Sequence, residues 1–462
     1  MEHIKVSEMV GALSYALDLT EGQPMGHSAR VCLLGMRIGK EIGMPLAERA
    51  ELYYALLIKD AGCSSNASRL FHILAADEIR AKCDVKTTDW TRVGFESLQY
   101  AITHVAVGKP FLEKVATLAR VAINRTADAA EIVKIRCERG ASVARRLGFS
   151  ERVAAGIHSL DEHWNGGGYP DHLRGAEIPV FSRIALLCQT LEVFWREKGG
   201  DAAVEVSRRR TGEWFDPELT AAVASMAARG ALWAGLDSPS LLEDVWALEP
   251  VEMRVVLTDE RMEEICLAFA EVVDAKSPFT YRHSNGVAEA AVAIAQTLGL
   301  DETAVTMIRR AALLHDIGKL SVPNSILEKP GKLEPAEWEV VKKHPAYSHA
   351  ILKRIPGFGR LAEVAASHHE RLDGTGYWRS YDAARLDLPS RILAVADVYD
   401  ALAAKRPYRE ALPLEQVLGI MRKDAPHALD AECLEALAGA SVRNLAGAVG
   451  KPAEAKAPAR IC

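Results

Sequence analysis

Apolar residues recur at intervals of three and four along most of the chain, which is the spacing that places them on one face of a helix. The segments Glu8–Leu19, Ala29–Ile42 and Ala47–Ile58 have this spacing near the start of the chain, and Gly43 and Pro45 follow the second of them. Alanine, leucine, glutamate and arginine dominate, and alternating runs of β-branched residues are rare. The sequence therefore predicts an all-α fold.

Histidine and aspartate residues adjoin apolar segments with helical spacing at several places in the second half of the chain. Buried imidazole and carboxylate groups are costly without a partner, and a shared metal centre is the simplest partner for a set of them. These ligand types suit first-row transition metals, whereas Mg²⁺ and Ca²⁺ take mostly oxygen. Iron and manganese are favoured, and zinc and nickel stay open. The candidate ligands are His283, His315, Asp316, His344, His368, His369 and Asp397.

The order of these residues, followed by Asp-Gly-Thr-Gly-Tyr at 373–377, resembles the HD-GYP family over about residues 258–440. The tripeptide that names that family reads Gly376-Tyr377-Trp378 here, with tryptophan in place of proline. The resemblance implies an all-α, metal-dependent phosphodiesterase that linearises a cyclic dinucleotide, chiefly cyclic di-GMP. Whether hydrolysis continues from the linear dinucleotide to GMP stays open.

The resemblance also implies roles for particular residues. Seven ligands are too many for one tetrahedral ion but fit two divalent ions that share Asp316. Family members with a third ion have an acidic residue four positions before the first histidine, where this chain has Phe279, so we expect two ions. We expect Asp316 and Lys319 to be catalytic, and Lys319, Arg406 and Arg409 to bind the substrate's phosphates.

Two other features near these motifs lead to expectations of a different kind. The turn Gly374–Trp378 supplies no metal ligand, and we expect it to be architectural and to face a protein partner. Asp274, nine positions before His283, is expected to be an ordinary surface charge on a helix.

The two halves of the chain share motifs in the same order. At one constant spacing, His27-Ser28 corresponds to His283-Ser284 and Lys59-Asp60 to His315-Asp316. At a second, shorter spacing, Asn165–Pro170 corresponds to Asp373–Trp378. The difference between the spacings predicts an insertion in the first copy, between residues 64 and 130.

The first copy lacks most of the candidate ligands. Only His27 and Asp60 persist, and two of the replacements are cations that would repel a divalent ion. We therefore expect the first copy to bind no metal and the second to carry the chemistry. The replacements are Lys59, Arg136, Leu160, Asp161 and Gln189.

These observations predict four parts of the chain. Residues 1–240 form a degenerate HD-GYP-like helical domain, and residues 241–257, which contain proline and acidic residues, form a linker. Residues 258–445 form the catalytic domain. Residues 446–462 have too little apolar bulk to fold and are expected to be disordered.

Composition limits the classes of partner. A net charge of −6 argues against binding of DNA or RNA polymers. The eight cysteines form no Cys-x-x-Cys pair, which favours reduced thiols in a cytoplasmic protein. The start of the chain lacks the pattern of a signal peptide, and no apolar run is long enough to span a membrane. Self-association into a homo-oligomer stays open.

Three alternatives to a cyclic di-GMP phosphodiesterase remain. One is a sensor or scaffold that binds cyclic dinucleotides with little turnover, suggested by the degenerate first copy and by Trp378. Another is a phosphodiesterase specific for cyclic GMP-AMP, which presents the same phosphates. The third is an HD-type phosphohydrolase that acts on mononucleotides, which the additional histidines at 344, 368 and 369 disfavour.

Overall fold

The structure is a computed structural model that describes residues 4–88, 95–107, 109–250, 255–278, 282–404 and 411–444. Within these ranges the regular elements are α-helices and short 3₁₀ helices, without a β-strand. The all-α prediction is therefore confirmed. None of the helices in the described ranges is both long enough and apolar enough to cross a membrane.

The chain separates into two compact units. The N-terminal unit ends at Leu257 and includes the short segment Pro323–Ser325. The C-terminal unit runs from Thr258 to Val322 and resumes at Ile326.

The helices before residue 258 all belong to the N-terminal unit. They are α1 (Val6–Thr20), α2 (His27–Glu41), α3 (Leu46–Leu57), α4 (Ala67–Leu74), α5 (Glu78–Val85), α6 (Phe95–His104), α7 (Phe111–Arg146), α8 (Glu151–His158), α9 (Val180–Lys198), α10 (Gly200–Arg209), α11 (Pro217–Ala228) and α12 (Leu241–Ala247). Helix α2 packs against α3 and α9, while α1 and α12 both pack against α2. Helix α12, which begins the segment 241–257 expected to be a linker, lies in the N-terminal unit, where its Leu241, Leu242 and Val245 are buried.

The segment predicted as an insertion contains α4, α5 and α6. Leu74, Ala81 and Val105 are buried in a small apolar core of these helices, and Leu118 and Val121 of α7 pack against it. The segment predicted as an insertion therefore has a local core of its own within the N-terminal unit.

The helices after residue 258 carry the predicted metal ligands. They are α13 (Asp259–Asp274), α14 (His283–Thr297), α15 (Glu302–Leu314), α16 (Asn324–Leu327), α17 (Pro335–Val341), α18 (His344–Leu352), α19 (Gly359–Ala366), α20 (Leu388–Ala403), α21 (Leu414–Asp424) and α22 (Ala431–Asn444). Helix α14 packs against both α15 and α20, and α19 packs against α15, α18 and α20.

Aspartate caps fix the starts of two helices that bear ligands. The side chain of Asp301 accepts a hydrogen bond from the backbone of Ala304 and begins α15. The side chain of Asp387 accepts one from the backbone of Ser390 and begins α20, whose first turn contains Pro389. The buried faces of both helices are nearly all apolar, so His315 and Asp397 are held by a packed core.

Several elements of the two units correspond in length and position. Helices α2 and α14 each have 15 residues and begin at His27 and His283. Helices α8 and α19 each have eight residues. These matches support the correspondence between the halves, while the degenerate character of the first stays a prediction.

Candidate metal centre

The structure brings the seven predicted ligands together in the core of the C-terminal unit. Six are buried, and His369 is partly exposed. His283 and His344 are the first residues of α14 and α18, while His315 and His368 lie just beyond the ends of α15 and α19. Asp397 lies on the buried face of α20. Helix ends therefore converge on one point and aim polar side chains into an apolar core.

Asp316 lies in the middle of this cluster, with its two oxygens facing different histidines. Its Oδ1 is 3.4 Å from Nε2 of both His344 and His368. Its Oδ2 is 3.3 Å from Nε2 of His315 and 3.6 Å from Nε2 of His283. One carboxylate thus contacts two separate groups of imidazoles, as a ligand shared by two ions would.

Asp397 contacts three histidines of the cluster. Its Oδ1 is 3.1 Å from Nε2 of His283 and 3.8 Å from Nε2 of His315, and its Oδ2 is 3.6 Å from Nδ1 of His369. Three overlapping triads each have their ligand atoms within 4.8 Å of one another. They are His344, His368 and His369; His283, His315 and Asp397; and His315, Asp316 and His368.

Backbone carbonyls orient three of the imidazoles. Nδ1 of His315, His344 and His368 each lies 2.7 Å from the carbonyl oxygen three residues earlier. Donation from Nδ1 places the proton there and leaves Nε2 as an acceptor that points into the cluster. This is the tautomer that a metal ligand requires.

The inward-facing atoms lack ordinary partners. Nε2 of His344 and Nε2 of His368 are 3.1 Å apart, and with both protons on Nδ1 two lone pairs face each other. Nε2 of His315 and Oδ1 of Asp316 are buried without any hydrogen-bond partner among the described residues. Buried acceptors in this state are costly, and cations between them would satisfy them all. The residues therefore fit divalent ions.

The electrostatics of four of the ligands, three histidines and Asp316, favour protonation states that can bind metal. Burial lowers the pKa of His344, lowers that of His368 to about 4, and with the charge of His368 holds that of His369 well below its usual value. Burial alone would raise the pKa of Asp316, but the neighbouring His315 and Lys319 hold it well below its usual value. Neutral imidazoles beside ionised carboxylates are what metal coordination needs.

One residue of the cluster, Asp400, was not anticipated from the sequence. Its Oδ2 accepts a hydrogen bond from Nδ1 of His283 at 2.6 Å. Burial lowers the pKa of His283, yet hydrogen bonds to Asp397 and Asp400 raise it to about 10. A Cβ on Gly286 would lie 1.9 Å from Asp400 Oδ1, so that glycine makes room for the carboxylate. The available signal was that Asp400 follows Asp397 by three residues on the same helix face.

The expectation that Asp274 is a surface charge is wrong. Its carboxylate is buried and accepts hydrogen bonds from Oγ of Ser284 at 2.8 Å and from the backbone nitrogen of Ser284 at 3.2 Å. Burial raises its pKa to about 6. Asp274 ends α13 where α14 begins, so it satisfies exposed backbone donors of the helix that carries His283.

Lys319 lies beside the cluster, although not on a continued helix. Helix α15 ends at Leu314, and Lys319 belongs to the 3₁₀ helix Ile317–Ser321. Its Nζ is 2.5 Å from Oδ2 of Asp316, and its side chain is partly exposed. The ammonium group can therefore reach both the cluster and a molecule that approaches from solvent.

A close backbone contact joins the His315–Asp316 segment to α18. A Cβ on Gly318 would lie 2.0 Å from the carbonyl oxygen of His344. Oγ of Ser348 donates a hydrogen bond to the carbonyl of His315 at 2.6 Å and accepts one from the backbone of Gly318 at 2.9 Å. These contacts fix the distance between Asp316 and His344.

The turn after the histidine pair supports the site from one side. Gly374 has φ of 73°, as expected for a tight turn. The ring of Tyr377 lies 4.7 Å from that of His369 between centroids. Trp378 is partly buried, and the guanidinium of Arg379 lies 3.9 Å from the centre of its ring. Binding of a protein partner at Gly374–Trp378 stays a prediction.

Some predicted residues lie outside the described ranges. These are Phe279, Arg406, Arg409 and the segment 446–462.

The corresponding place in the N-terminal unit is filled by cations. Nζ of Lys59 contacts the carboxylate of Asp60 and lies 3.3 Å from Nε2 of His27. Arg136 forms an ion pair with Asp161. An ammonium and a guanidinium thus interact with groups that would otherwise face a metal ion. The prediction that this unit binds no metal is consistent with these contacts and stays a prediction.

One further group in the N-terminal unit has metal-ligand character. Ligand atoms of Glu21, Asp60 and Cys63 lie within 4.8 Å of one another. Glu21 already pairs with Lys86 at 3.1 Å and with Lys82 at 3.5 Å. The ammonium groups neutralise these carboxylates, so the group has little attraction left for a divalent ion.

Comparison with known proteins agrees with this geometry. The HD domain family matches the chain twice, over residues 67–219 and 268–433. The chain belongs to the HD-domain family. The second match contains all seven candidate ligands of this HD protein.

Named relatives of this HD-domain protein are phosphodiesterases. The 3'3'-cGAMP-specific phosphodiesterase 3 of Vibrio cholerae serotype O1 is 43% identical over 432 residues, which is 94% of each chain. The crystal structure of a V. cholerae cyclic GMP-AMP-specific phosphodiesterase, V-cGAP3, matches with a TM-score of 0.66 and 39% identity over 95% of this chain and 98% of that one. The cyclic di-GMP phosphodiesterase response regulator RpfG of Xanthomonas campestris pv. campestris is 37% identical over 183 residues, which is 39% of this chain and 48% of that protein.

Proposed function

We propose that the C-terminal unit is a metal-dependent phosphodiesterase that opens a cyclic dinucleotide, and that its substrate is 3'3'-cyclic GMP-AMP. The observation that carries the reaction class is the cluster in which Asp316 faces two groups of imidazoles with unsatisfied acceptor atoms. The proposal that cyclic GMP-AMP is the substrate is supported by the likeness to a cGAMP-specific enzyme along 94% of the chain.

Two divalent transition-metal ions, iron or manganese in preference to zinc or nickel, fit the donor set. Asp316 would be the shared ligand. His283, His315 and Asp397 would hold one ion, and His344, His368 and His369 the other. When bound, such ions supply Lewis acidity and a hydroxide nucleophile near neutral pH.

The residues of the chain itself orient the imidazole ligands and neutralise negative charge on the substrate phosphate. The backbone carbonyls behind His315, His344 and His368 keep each Nε2 directed inward, so the ligands need no reorganisation. Asp400 performs the same task for His283. The ammonium of Lys319, at the partly exposed edge of the cluster, would hold a non-bridging phosphate oxygen and offset charge that develops at phosphorus.

Cyclic di-GMP is a second candidate substrate, because several relatives that match shorter parts of the chain are named for it, among them RpfG. Both molecules present the same pair of phosphodiesters. Discrimination must therefore come from contacts with the bases, and one lost hydrogen bond to a base typically changes kcat/KM by about tenfold or more.

The test is turnover by the full chain loaded with Mn²⁺ or Fe²⁺. Separate assays with 3'3'-cyclic GMP-AMP, cyclic di-GMP and cyclic di-AMP should release linear dinucleotides, resolved by chromatography and mass spectrometry. We expect kcat/KM to be at least about tenfold higher for cyclic GMP-AMP than for either symmetric substrate. A preference for cyclic di-GMP would overturn the proposal that cyclic GMP-AMP is the substrate. Binding of these molecules without any turnover would overturn the proposed phosphodiesterase activity and favour a sensor.

A further inference from the structure

The N-terminal unit has a cavity of about 330 Å³, partly open to solvent, that the phosphodiesterase function does not use. Helices α4 to α7 and α9 line most of it, and aliphatic side chains such as Leu70, Val121 and Leu186 form its walls. A volume of several hundred cubic ångströms lies in the range of small-molecule sites.

One end of the cavity is polar, and it coincides with the place of the lost metal ligands. Arg136, Asp161 and Gln189 line this end, and in the repeat they correspond to His344, His369 and Asp397. Gln189 has a buried side chain whose Oε1 lacks any hydrogen-bond partner among the described residues. An amide can turn to present either its oxygen or its N–H. A polar group buried in this state is satisfied by a water molecule or by a polar group of a ligand.

The charged side chains that line the cavity indicate which polar group a ligand would have. Among the described residues, Lys82, Lys86 and Arg136 line the cavity together with two carboxylates, Glu21 and Asp161. The Lys86 and Lys82 ammonium groups lie 3.1 and 3.5 Å from Glu21, and Arg136 pairs with Asp161. These five side chains together carry one more positive charge than negative. A single anionic group on the ligand would balance it.

We propose that this cavity binds an amphipathic organic monoanion, a carboxylate attached to an acyl chain or aromatic body. The apolar body would lie against the aliphatic walls, and the carboxylate would interact with the Arg136 guanidinium and the Gln189 amide. Arginine is well suited to bind carboxylates. A cyclic dinucleotide fits poorly, because it brings two phosphate charges and polar base edges to mainly aliphatic walls.

Isothermal titration calorimetry of the full chain tests the proposal, with decanoate as the ligand at concentrations below those at which it forms micelles. We expect saturable binding at one site per chain. Decan-1-ol and decylammonium have the same tail without the anion and should bind at least about tenfold more weakly, which is the usual contribution of a charge-assisted hydrogen bond. Equal affinity for the three molecules, or no saturable binding of decanoate, would overturn the proposal.

Three variants locate the site. Arg136→Gln should weaken decanoate binding by about tenfold or more, whereas Arg139→Gln, at an exposed position on the same helix α7, should leave it unchanged. Ala129→Phe places a ring in the cavity and should abolish binding even if the arginine variant does not fold. Circular dichroism establishes which variants are folded. Unchanged affinity in folded Ala129→Phe would show that decanoate binds elsewhere and would overturn the proposal.

Discussion

Replacement of Gly318 by alanine should damage both the fold and the metal centre. A Cβ at that position would lie 2.0 Å from the carbonyl oxygen of His344 and 2.8 Å from the backbone nitrogen of Ser348. Both neighbours are backbone atoms of α18, so no side chain can rotate away. The start of α18 must move by about 1 Å or more to restore an ordinary contact, and His344 moves with it.

The magnitude follows from these contacts. Overpacking of this kind typically costs about 1–3 kcal/mol in the free energy of unfolding. Displacement of one metal ligand or of its support typically lowers metal affinity by about 10–100-fold. Gly318→Ala should therefore melt at a lower temperature and retain fewer ions after dialysis against a weak chelator. Differential scanning calorimetry and elemental analysis measure the two effects.

Two other glycines provide matched controls. Gly419 lies in α21, where a Cβ would meet no atom of the described residues within 4 Å, so Gly419→Ala should stabilise the protein by about 0.5–1 kcal/mol. Gly62 is the counterpart in the N-terminal unit, where a Cβ would lie 1.9 Å from the Arg136 carbonyl. Gly62→Ala should lower stability and leave metal content unchanged. If Gly318→Ala melts and binds metal like the wild type, the close approach to His344 does not exist and the reasoning fails.

Three more outcomes follow from the contacts. Lys319→Gln should lower kcat/KM by about 10²-fold with unchanged metal content; loss of the ions instead would make Lys319 a structural residue. Asp400→Asn should weaken metal binding by about tenfold or more. Asp400→Glu should restore part of it, because Glu192, which corresponds to Asp400 at the shorter repeat spacing, contacts Nδ1 of His27 at 2.5 Å in the N-terminal unit. Metal titrations that match the wild type would refute this. Burial opposes ionisation of Glu192, but His27 and Arg30 lower its pKa from 4.5 to about 2. The ionised carboxylate therefore contributes about 3 kcal/mol at most to the free energy of unfolding. This contribution is present above about pH 4.5 and is lost as the pH falls toward 2. The difference in unfolding free energy between wild type and Glu192→Gln should therefore shrink between pH 6 and 3, and a constant difference would contradict this.

Much of the arrangement could be predicted from the sequence because each candidate ligand adjoins an apolar helical segment. The motif order indicated which residues would converge, and the structure brings all seven together. Asp274 was misjudged because burial of a helix end depends on the helix that follows it, and that contact with Ser284 is not visible in local spacing. Asp400 was missed because it supports a ligand without being one. The cavity of the N-terminal unit could not be predicted, since part of its wall comes from α4, α5 and α6, which the repeat does not align.

The chemistry of the C-terminal unit is tested most directly by the metal content and 3'3'-cyclic GMP-AMP turnover of one double variant. His315→Ala with Asp316→Ala removes the two ligands at the centre of the cluster, and Lys59→Ala with Asp60→Ala makes the corresponding change in the N-terminal unit. The wild type and the N-terminal variant should each bind about two first-row ions per chain and release the linear dinucleotide. The C-terminal variant should lose ions and turnover together. Turnover that survives the loss of His315 and Asp316 would contradict the assignment of catalysis to this centre.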